Sequence, residues 1–129
     1  AGSDSIKLGN TLPTRDLTFV SDTASGFYEI YKSDKLYGDV TNIGMNHEIS
    51  IGDLAKMISK IASRDITFVT ENERIRPDNS EVERLVCDNS KIKDATNWKP
   101  QFNLQSGLEE TFNWIKRNIH FYKTDIYNI

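Results

Sequence analysis

Two stretches of strong helical periodicity alternate with short runs rich in β-branched and aromatic residues, and this alternation constrains the fold most. Residues 48–62 (EISIGDLAKMISKIA) and 103–119 (NLQSGLEETFNWIKRNI) repeat apolar side chains three or four positions apart, after the candidate caps Ser50 and Asn103. Weaker periodicity predicts helices over residues 21–34, with Ser21 as cap, and 89–98. Predicted strands cover residues 15–20, 38–44, 65–69 and 85–88. We therefore expect an α/β or α+β domain in which helices pack on a small mixed sheet.

Composition narrows the class of protein further. The 129 residues fit one domain, and a net charge of −3 argues against a nucleic-acid partner. No apolar window is long enough to span a membrane, and no leader-like stretch opens the chain. Cys87 is the sole cysteine, which agrees with a reducing cytoplasm. The two histidines have no Cys/His cluster around them, so we expect no metal site.

The glycine pattern bears on cofactor binding. A dinucleotide site needs a glycine-rich turn that lets the backbone approach a pyrophosphate. None of the seven glycines shows the Gly-x-Gly-x-x-Gly spacing, and no Gly-x-x-x-x-Gly-Lys phosphate loop is present. No Ser/His/Asp set or pair of carboxylates stands out either. We therefore expect the chain to bind no cofactor and to carry no catalytic residue of its own.

Arginine side chains occur in two places suited to an anion. Arg15 opens the predicted strand 15–20 after a loop that contains glycine and proline. Arg76 and Glu81 belong to the aperiodic stretch RIRPDNSEVER. The arginines of this stretch are Arg74, Arg76 and Arg84. A planar guanidinium suits phosphate, and a nearby glutamate can accept hydrogen bonds from ribose hydroxyls or a base edge.

These residues also have ordinary structural interpretations. Arg15 beside Asp16 fits a solvated ion pair at a strand end, and the mixed charges of residues 73–84 fit a solvated surface. Asn46 and His47 lie in a strand-to-helix connection, where such residues often form turns or caps. The residues alone leave both interpretations open.

Taken in order, several stretches resemble the C-terminal part of the extended short-chain dehydrogenase/reductase family. They are KLGNTLPTRDLTFVSDTASGF, VTNIGMNHEISIGDLAKMI and RIRPDNSEVERLVCDNSKIKDATNWKPQFNLQSGLEETFNWI. The resemblance covers roughly residues 6–119. It depends on an ordered set of motifs: an Arg-Asp strand, an Asn-Ile-Gly turn, an Arg-Pro and Glu-Val loop, an Asp-x-x-Lys helix and Trp-x-Pro. The chain is most similar to NAD-dependent sugar-nucleotide 4,6-dehydratases of the GDP-mannose type, with UDP-sugar epimerases as cousins.

The resemblance implies a role for each candidate. Arg15 would contact the substrate diphosphate, Arg76 and Glu81 would hold phosphate and nucleoside, and Asn46 or His47 would lie near the nucleotide. In such enzymes a separate N-terminal Rossmann domain binds NAD. There, hydride leaves C4 of the hexose for NAD, water is lost across C5–C6, and hydride returns at C6. The chain is then the substrate-binding lobe of a larger enzyme and inactive alone.

The resemblance also implies domain limits and partners. Residues 1–5 would be a linker or tag remnant, residues 6–119 the sugar-nucleotide-binding domain, and residues 120–129 a tail. The expected partners are a nucleotide-diphosphate sugar and the N-terminal Rossmann domain. A homodimer is also expected, through apolar surface left uncovered.

Tyr31 and Lys35 in EIYKSDK show the Tyr-x-x-x-Lys spacing of a dehydrogenase catalytic pair. That spacing on one helix places both side chains on the same face, where the lysine can help the tyrosine act as a base. Tyr31, however, continues the apolar positions of Ala24 and Phe27, which predicts that its ring packs. In the resembling family the catalytic pair precedes the Arg-Asp strand, whereas this pair follows it. We interpret the match as coincidental.

Two alternatives remain beside the dehydratase. A UDP-sugar epimerase, reductase or decarboxylase of the same family would share this lobe. A free-standing, non-enzymatic domain could instead use its arginines to bind an anionic partner. The base, the sugar and the product are not encoded in these residues.

Overall fold

The computed structural model describes residues 4–71 and 82–122. The strands are β1 Ser5–Leu8, β2 Thr14–Asp16, β3 Glu48–Ser50, β4 Thr67–Thr70 and β5 Arg84–Leu85. The helices are α1 Val20–Lys32, α2 Ile51–Ile61, α3 Ser90–Ala95 and α4 Leu104–Arg117, followed by a short 3-10 helix at Ile119–Phe121. This mixture of helices with short strands confirms the predicted α/β class.

The strands form two small sheets. β1 and β4 pair in parallel, from Ser5 opposite Thr67 to Leu8 opposite Thr70. The other sheet has the order β3-β2-β5, with β3 antiparallel and β5 parallel to the central strand β2. This second sheet is the small mixed sheet that the sequence predicts. β1 lies in a stretch for which the sequence predicts no strand.

The two strongest helices begin where their caps predict. Ser50 Oγ accepts the backbone N–H of Asp53 at 3.0 Å, and α2 starts at the next residue. Asn103 and Ser106 form a reciprocal capping box at the start of α4. The prediction that residues 48–50 are helical is wrong, because they pair with β2 as strand β3 and leave the helix to start after the cap.

Helix α1 departs from prediction at both ends. It begins at Val20 with Phe19 at the N-cap position and no side-chain cap, so the predicted capping by Ser21 is wrong. The helix ends at Lys32, and Lys35 therefore lies outside the helix that carries Tyr31. The Tyr31 ring is 79% exposed, so the prediction that it packs is also wrong within this chain.

The stretch 38–44, predicted as a strand, belongs to no strand among the described residues. Ile43 nevertheless lies tightly against α1, since a Cβ added at Gly26 would come 2.8 Å from its Cδ1 atom. A glycine at position 26 permits this close packing, because any larger residue would place its Cβ atom against Ile43. Strand formation requires a neighbouring backbone, which the described chain does not offer at this place.

A buried carboxylate of α1 lies in the core. Among the described residues, Leu36, Ile92 and Trp98 are the buried large apolar side chains. Asp22 of α1 is only 1% exposed and accepts the backbone N–H groups of Gln101 and Phe102 at 2.9 and 3.0 Å. The Trp98 indole N–H donates to the Asp22 carbonyl at 3.0 Å. These bonds fasten the start of α1 to the segment that leads into α4.

Candidate functional site

The central strand β2 positions Arg15 in the middle of the mixed sheet. Arg15 lies opposite Ile49 of β3 and Leu85 of β5. Because side chains alternate along a strand, these three residues project from one face, while Thr14 and Asp16 project from the other. The Arg15 guanidinium donates to the Thr14 carbonyl at 2.7 Å, which steadies it near the strand. The sheet thus presents a cation between two apolar side chains.

Asp16 fastens the Asn-Ile-Gly turn to the end of the same strand. Its carboxylate accepts three backbone N–H groups, from Met45 at 2.9 Å, Asn46 at 2.9 Å and Cys87 at 3.1 Å. Asn46 has a φ of 57°, a left-handed conformation that asparagine tolerates better than most residues. Because Asp16 directly follows Arg15 on β2, its carboxylate holds the Asn46 turn at the strand position next to Arg15. The sequence did not predict this positioning role of Asp16. The Arg-Asp pair was the only pattern that could have indicated it.

His47 lies on the same side of the sheet as Arg15. The β2–β3 register, carried one residue further, sets His47 opposite Leu17. Both side chains line a cavity of about 200 Å³. Its other lining residues are Met45, Ile49, Asn103 and Leu104. The register therefore places Arg15 and His47 on one face of the mixed sheet, and the Asn46 turn lies at the end of β2. Of these three residues, only His47 lines the cavity.

Arg84 lies on a strand, whereas the surrounding sequence predicts a loop. It lies on strand β5, and its guanidinium Nε donates to Glu48 at 2.6 Å. Thr14 Oγ1 also donates to the Glu48 carboxylate, at 2.5 Å. The hydrogen bond from Arg84 lowers the pKa of the Glu48 carboxyl most, and the hydrogen bond from Thr14 has the next largest effect. Arg84 is thus paired across the sheet, which corrects its assignment to an aperiodic loop.

Arg76 and Glu81, the other two predicted substrate contacts, lie outside the described residues. Their assignment stays a prediction. Of the five candidates, the structure therefore places Arg15, Asn46 and His47.

A tight contact between Gly44, in the Asn-Ile-Gly turn, and Cys87 restricts which residue can occupy position 44. A Cβ added to Gly44 would come 2.7 Å from Cys87 Sγ and closer still to its Cβ. The Gly44 carbonyl accepts the buried Asn89 side-chain amide at 2.7 Å. Burial, with smaller contributions from Asp16 and Asp88, raises the pKa of the Cys87 thiol. The thiol therefore packs in its protonated form at neutral pH.

Neither a metal cluster nor a membrane span occurs in the part of the chain that the structure describes. Across residues 4–71 and 82–122, no three His, Cys, Asp or Glu side chains lie together in a metal-binding arrangement. Within the same residues, no helix has the length and apolar character needed to cross a membrane. The chain also contains no glycine-rich turn that would fit a dinucleotide.

Comparison with known proteins agrees with the motifs. The family model described as GDP-mannose 4,6 dehydratase matches residues 1–111. The chain belongs to this family. It is 31% identical over 118 residues to GDP-mannose 3,5-epimerase 1 of Oryza sativa subsp. indica, covering 90% of this chain and 29% of the relative. It is 30% identical over 120 residues to human dTDP-D-glucose 4,6-dehydratase, covering 89% of the chain and 33% of the relative.

A solved structure shows the same fold. UDP-glucuronic acid 4-epimerase from Bacillus cereus, in complex with UDP-glucuronic acid and NAD, superposes with a TM-score of 0.76 at 29% identity. The match covers 88% of this chain and 35% of the epimerase. These findings confirm the resemblance to NAD-dependent sugar-nucleotide dehydratases and epimerases. The chain spans about a third of the length of the relatives that it matches.

Proposed function

We propose that this chain is the nucleotide-sugar-binding part of an NAD-dependent sugar-nucleotide 4,6-dehydratase and is not catalytically complete on its own. The observation that carries the proposal is the Asp16 carboxylate, which holds the Asn46 turn at the end of the strand that carries Arg15. Family membership and the nucleotide-sugar names of the relatives support it. The binding domain would comprise residues 6–119, between the linker 1–5 and the tail 120–129.

Each group in this site has a chemical task. Arg15 offers two parallel N–H donors that match the oxygens of a diphosphate. Asn46 and His47 supply polar groups for the nucleoside or the sugar, and the hollow beside His47 gives an apolar surface. Arg76 and Glu81 would complete the set. The task of the domain is to bind and orient the substrate, which lowers the entropic part of a reaction barrier.

NAD belongs to the remainder of the enzyme under this proposal. No glycine-rich turn of this chain fits a pyrophosphate, so we assign no cofactor contact to its residues. Tight binding of NAD by the 129-residue chain would contradict this assignment. Binding of a nucleotide sugar by the same chain is expected to be weak, because half of the pocket is supplied elsewhere.

Titration of GDP-, UDP- and dTDP-sugars by calorimetry tests the binding site. In the complete gene product that contains this chain, Arg15→Ala should weaken binding of the preferred nucleotide sugar by roughly 10- to 100-fold, the equivalent of one charge-assisted contact. Arg64→Ala is the matched control, since Arg64 is an exposed arginine paired with Asp4 at 3.2 Å. Equal affinities of the two variants would refute the role of Arg15.

The family alternative is a UDP-sugar epimerase or reductase, and the names of two relatives favour the epimerase. Mass spectrometry of the product separates the reactions. A dehydratase product has lost one water, an epimerase product has the substrate's mass, and a reductase product has gained two hydrogens. A coding sequence that starts near residue 1 would instead support the free-standing anion-binding domain, which has no place for hydride transfer.

A further inference from the structure

Glu48 places a negative charge in the same small sheet as the arginine that we assign to a diphosphate. It belongs to the edge strand β3 and projects from the face opposite to Arg15, together with Thr14 of β2 and Arg84 of β5. Its side chain is only 24% exposed. A carboxylate repels a phosphate, so Glu48 is no ligand for one. Its effect on the site must come through the groups that it contacts.

The Glu48 carboxylate connects all three strands of the mixed sheet. Its Oε1 atom lies 2.6 Å from both Nε and Nη2 of Arg84, on the far edge strand. Its Oε2 atom accepts the Thr14 hydroxyl, on the central strand, at 2.5 Å. The three strands are two or three residues long, so their backbone pairing alone fixes them weakly. This side-chain bridge therefore adds substantially to the register of the sheet.

Thr14 links the bridge to Arg15. Its hydroxyl donates to Glu48, and its backbone N–H donates to the Glu83 carbonyl at 2.8 Å. Its own carbonyl accepts the Arg15 guanidinium at 2.7 Å. A guanidinium binds phosphate through parallel N–H groups, so its affinity depends on how its plane is oriented. A residue that fixes Thr14 therefore also fixes the orientation of the Arg15 guanidinium.

The charges on the Glu48 face are compensated within that face. Asp16 lies directly opposite Glu48 in the β2–β3 register, where two like charges repel. The Asp16 carboxylate accepts three backbone N–H groups, whereas Arg84 offsets the charge of Glu48. The two carboxylates thus hold different parts of the site. Asp16 holds the Asn46 turn, and Glu48 holds the strand pair that carries Arg15.

We propose that Glu48 is a positioning residue for nucleotide-sugar binding, which acts through Thr14 to fix the orientation in which Arg15 meets the diphosphate. Arg84 holds Glu48 in place from strand β5. Glu48 itself contacts neither the phosphates nor the sugar. The inference rests on the proposed function, because it requires that Arg15 binds the diphosphate.

Calorimetric titration of the complete gene product tests this role, with the GDP-, UDP- or dTDP-sugar that binds the unaltered protein most tightly. Glu48→Gln keeps the shape of the side chain but removes its charge, and it should weaken binding about 5- to 10-fold. Thr14→Val should weaken binding to a similar extent, whereas Thr14→Ser keeps the hydroxyl donor and should not. Equal losses from the two Thr14 variants would overturn the proposed link through the hydroxyl.

Asp53→Asn is the matched control for the loss of a bridging carboxylate. Asp53 also accepts a hydroxyl, from Ser50 at 2.8 Å, and an ammonium group, from Lys56 at 3.0 Å. It lies on helix α2 and contacts no residue of the Glu48 bridge. Its replacement should change the affinity less than about twofold. A loss equal to that of Glu48→Gln would show that any such bridge has this effect, against the proposal.

Combination with Arg15→Ala separates positioning from a general loss of stability. If Glu48 acts through Arg15, Glu48→Gln should cause no further loss of affinity in the Arg15→Ala background. A further loss there would show that Glu48 only stabilises the fold, and would overturn the proposal. If Glu48→Gln fails to fold, Thr14→Val takes its place in the same cycle.

The outcomes also separate this inference from the proposed function. Weak binding by Arg15→Ala together with unchanged binding by Glu48→Gln would refute the positioning role alone. Equal affinities of Arg15→Ala and the Arg64→Ala control, or no nucleotide-sugar binding by the unaltered protein, would refute the proposed function and this inference with it.

Discussion

Replacing Asp22 by alanine should destabilise the fold more than any exposed carboxylate substitution. The side chain is 1% exposed, and its two oxygens accept the backbone N–H groups of Gln101 and Phe102 at 2.9 and 3.0 Å. A net hydrogen bond to a charged group contributes about 1.5–3 kcal/mol. Two such bonds set an upper range of roughly 6 kcal/mol, and the partial access of water to these N–H groups favours the lower half. We therefore expect a loss of about 3 kcal/mol in the free energy of unfolding.

Urea denaturation of the 129-residue chain, followed by circular dichroism, measures this loss. Asp22→Asn keeps the shape and one acceptor, so it should lose about half as much and remain folded if Asp22→Ala does not. The control is Asp39→Ala, whose carboxylate is 61% exposed and pairs with Lys91 at 3.1 Å. That surface pair should contribute at most about 1 kcal/mol. A loss below about 1 kcal/mol for Asp22→Ala would refute the view that this carboxylate ties α1 to the entry of α4.

Three further predictions follow from the mixed sheet and its turn. Gly44→Ala should cost about 1–3 kcal/mol in urea denaturation, and Cys87→Ala should not rescue it, because the closest contact is with the Cβ atom that alanine retains; an unchanged stability of Gly44→Ala would refute the steric cause, and rescue would show that the clash is with Sγ. Because the pKa of Glu48 is lowered, its pairing with Arg84 stabilises the fold at pH values above the ordinary pKa of a carboxyl group. This stabilisation is lost as the pH falls through the lowered pKa of Glu48. Arg84→Gln should therefore raise the pKa of Glu48, as followed by carbon NMR of its carboxyl, and an unchanged titration would disprove the pairing. The raised pKa of Cys87 predicts slow alkylation by iodoacetamide at pH 8, with an acceleration in urea, and equal rates in both conditions would contradict its partial burial.

The helices that could be predicted are those whose signals are local. Ser50 and Asn103 bond to backbone groups three residues away, so the starts of α2 and α4 are encoded within one turn. The apolar periodicity that follows each cap continues the helix. The candidate site residues on β2 and its neighbouring turn could also be named from the ordered motifs, because Arg15, Asn46 and His47 belong to short stretches that carry the resemblance.

Strand pairing and burial depend on residues far away in the chain. Glu48 is a strand residue because Asp16 lies opposite, and Asp16 is a positioning residue because Cys87, 71 residues later, donates to it. The pattern of Arg84 among alternating charges indicated a loop, yet pairing with Glu48 across the sheet decided its place. The register between residues so far apart is set when the sheet assembles, and no local sequence pattern predicts it.

The amino-acid sequence determined the fold class, the two capped helices, the absence of a dinucleotide turn and the family, since each depends on residue types at short, ordered spacings. Only the tertiary structure decided how α1 is oriented. The periodicity of this helix predicted a buried apolar stripe, and the stripe is exposed because the adjoining chain offers hydrogen-bond donors that bury Asp22 instead. Periodicity identifies the two faces of a helix, but the groups packed around it determine which face turns inward.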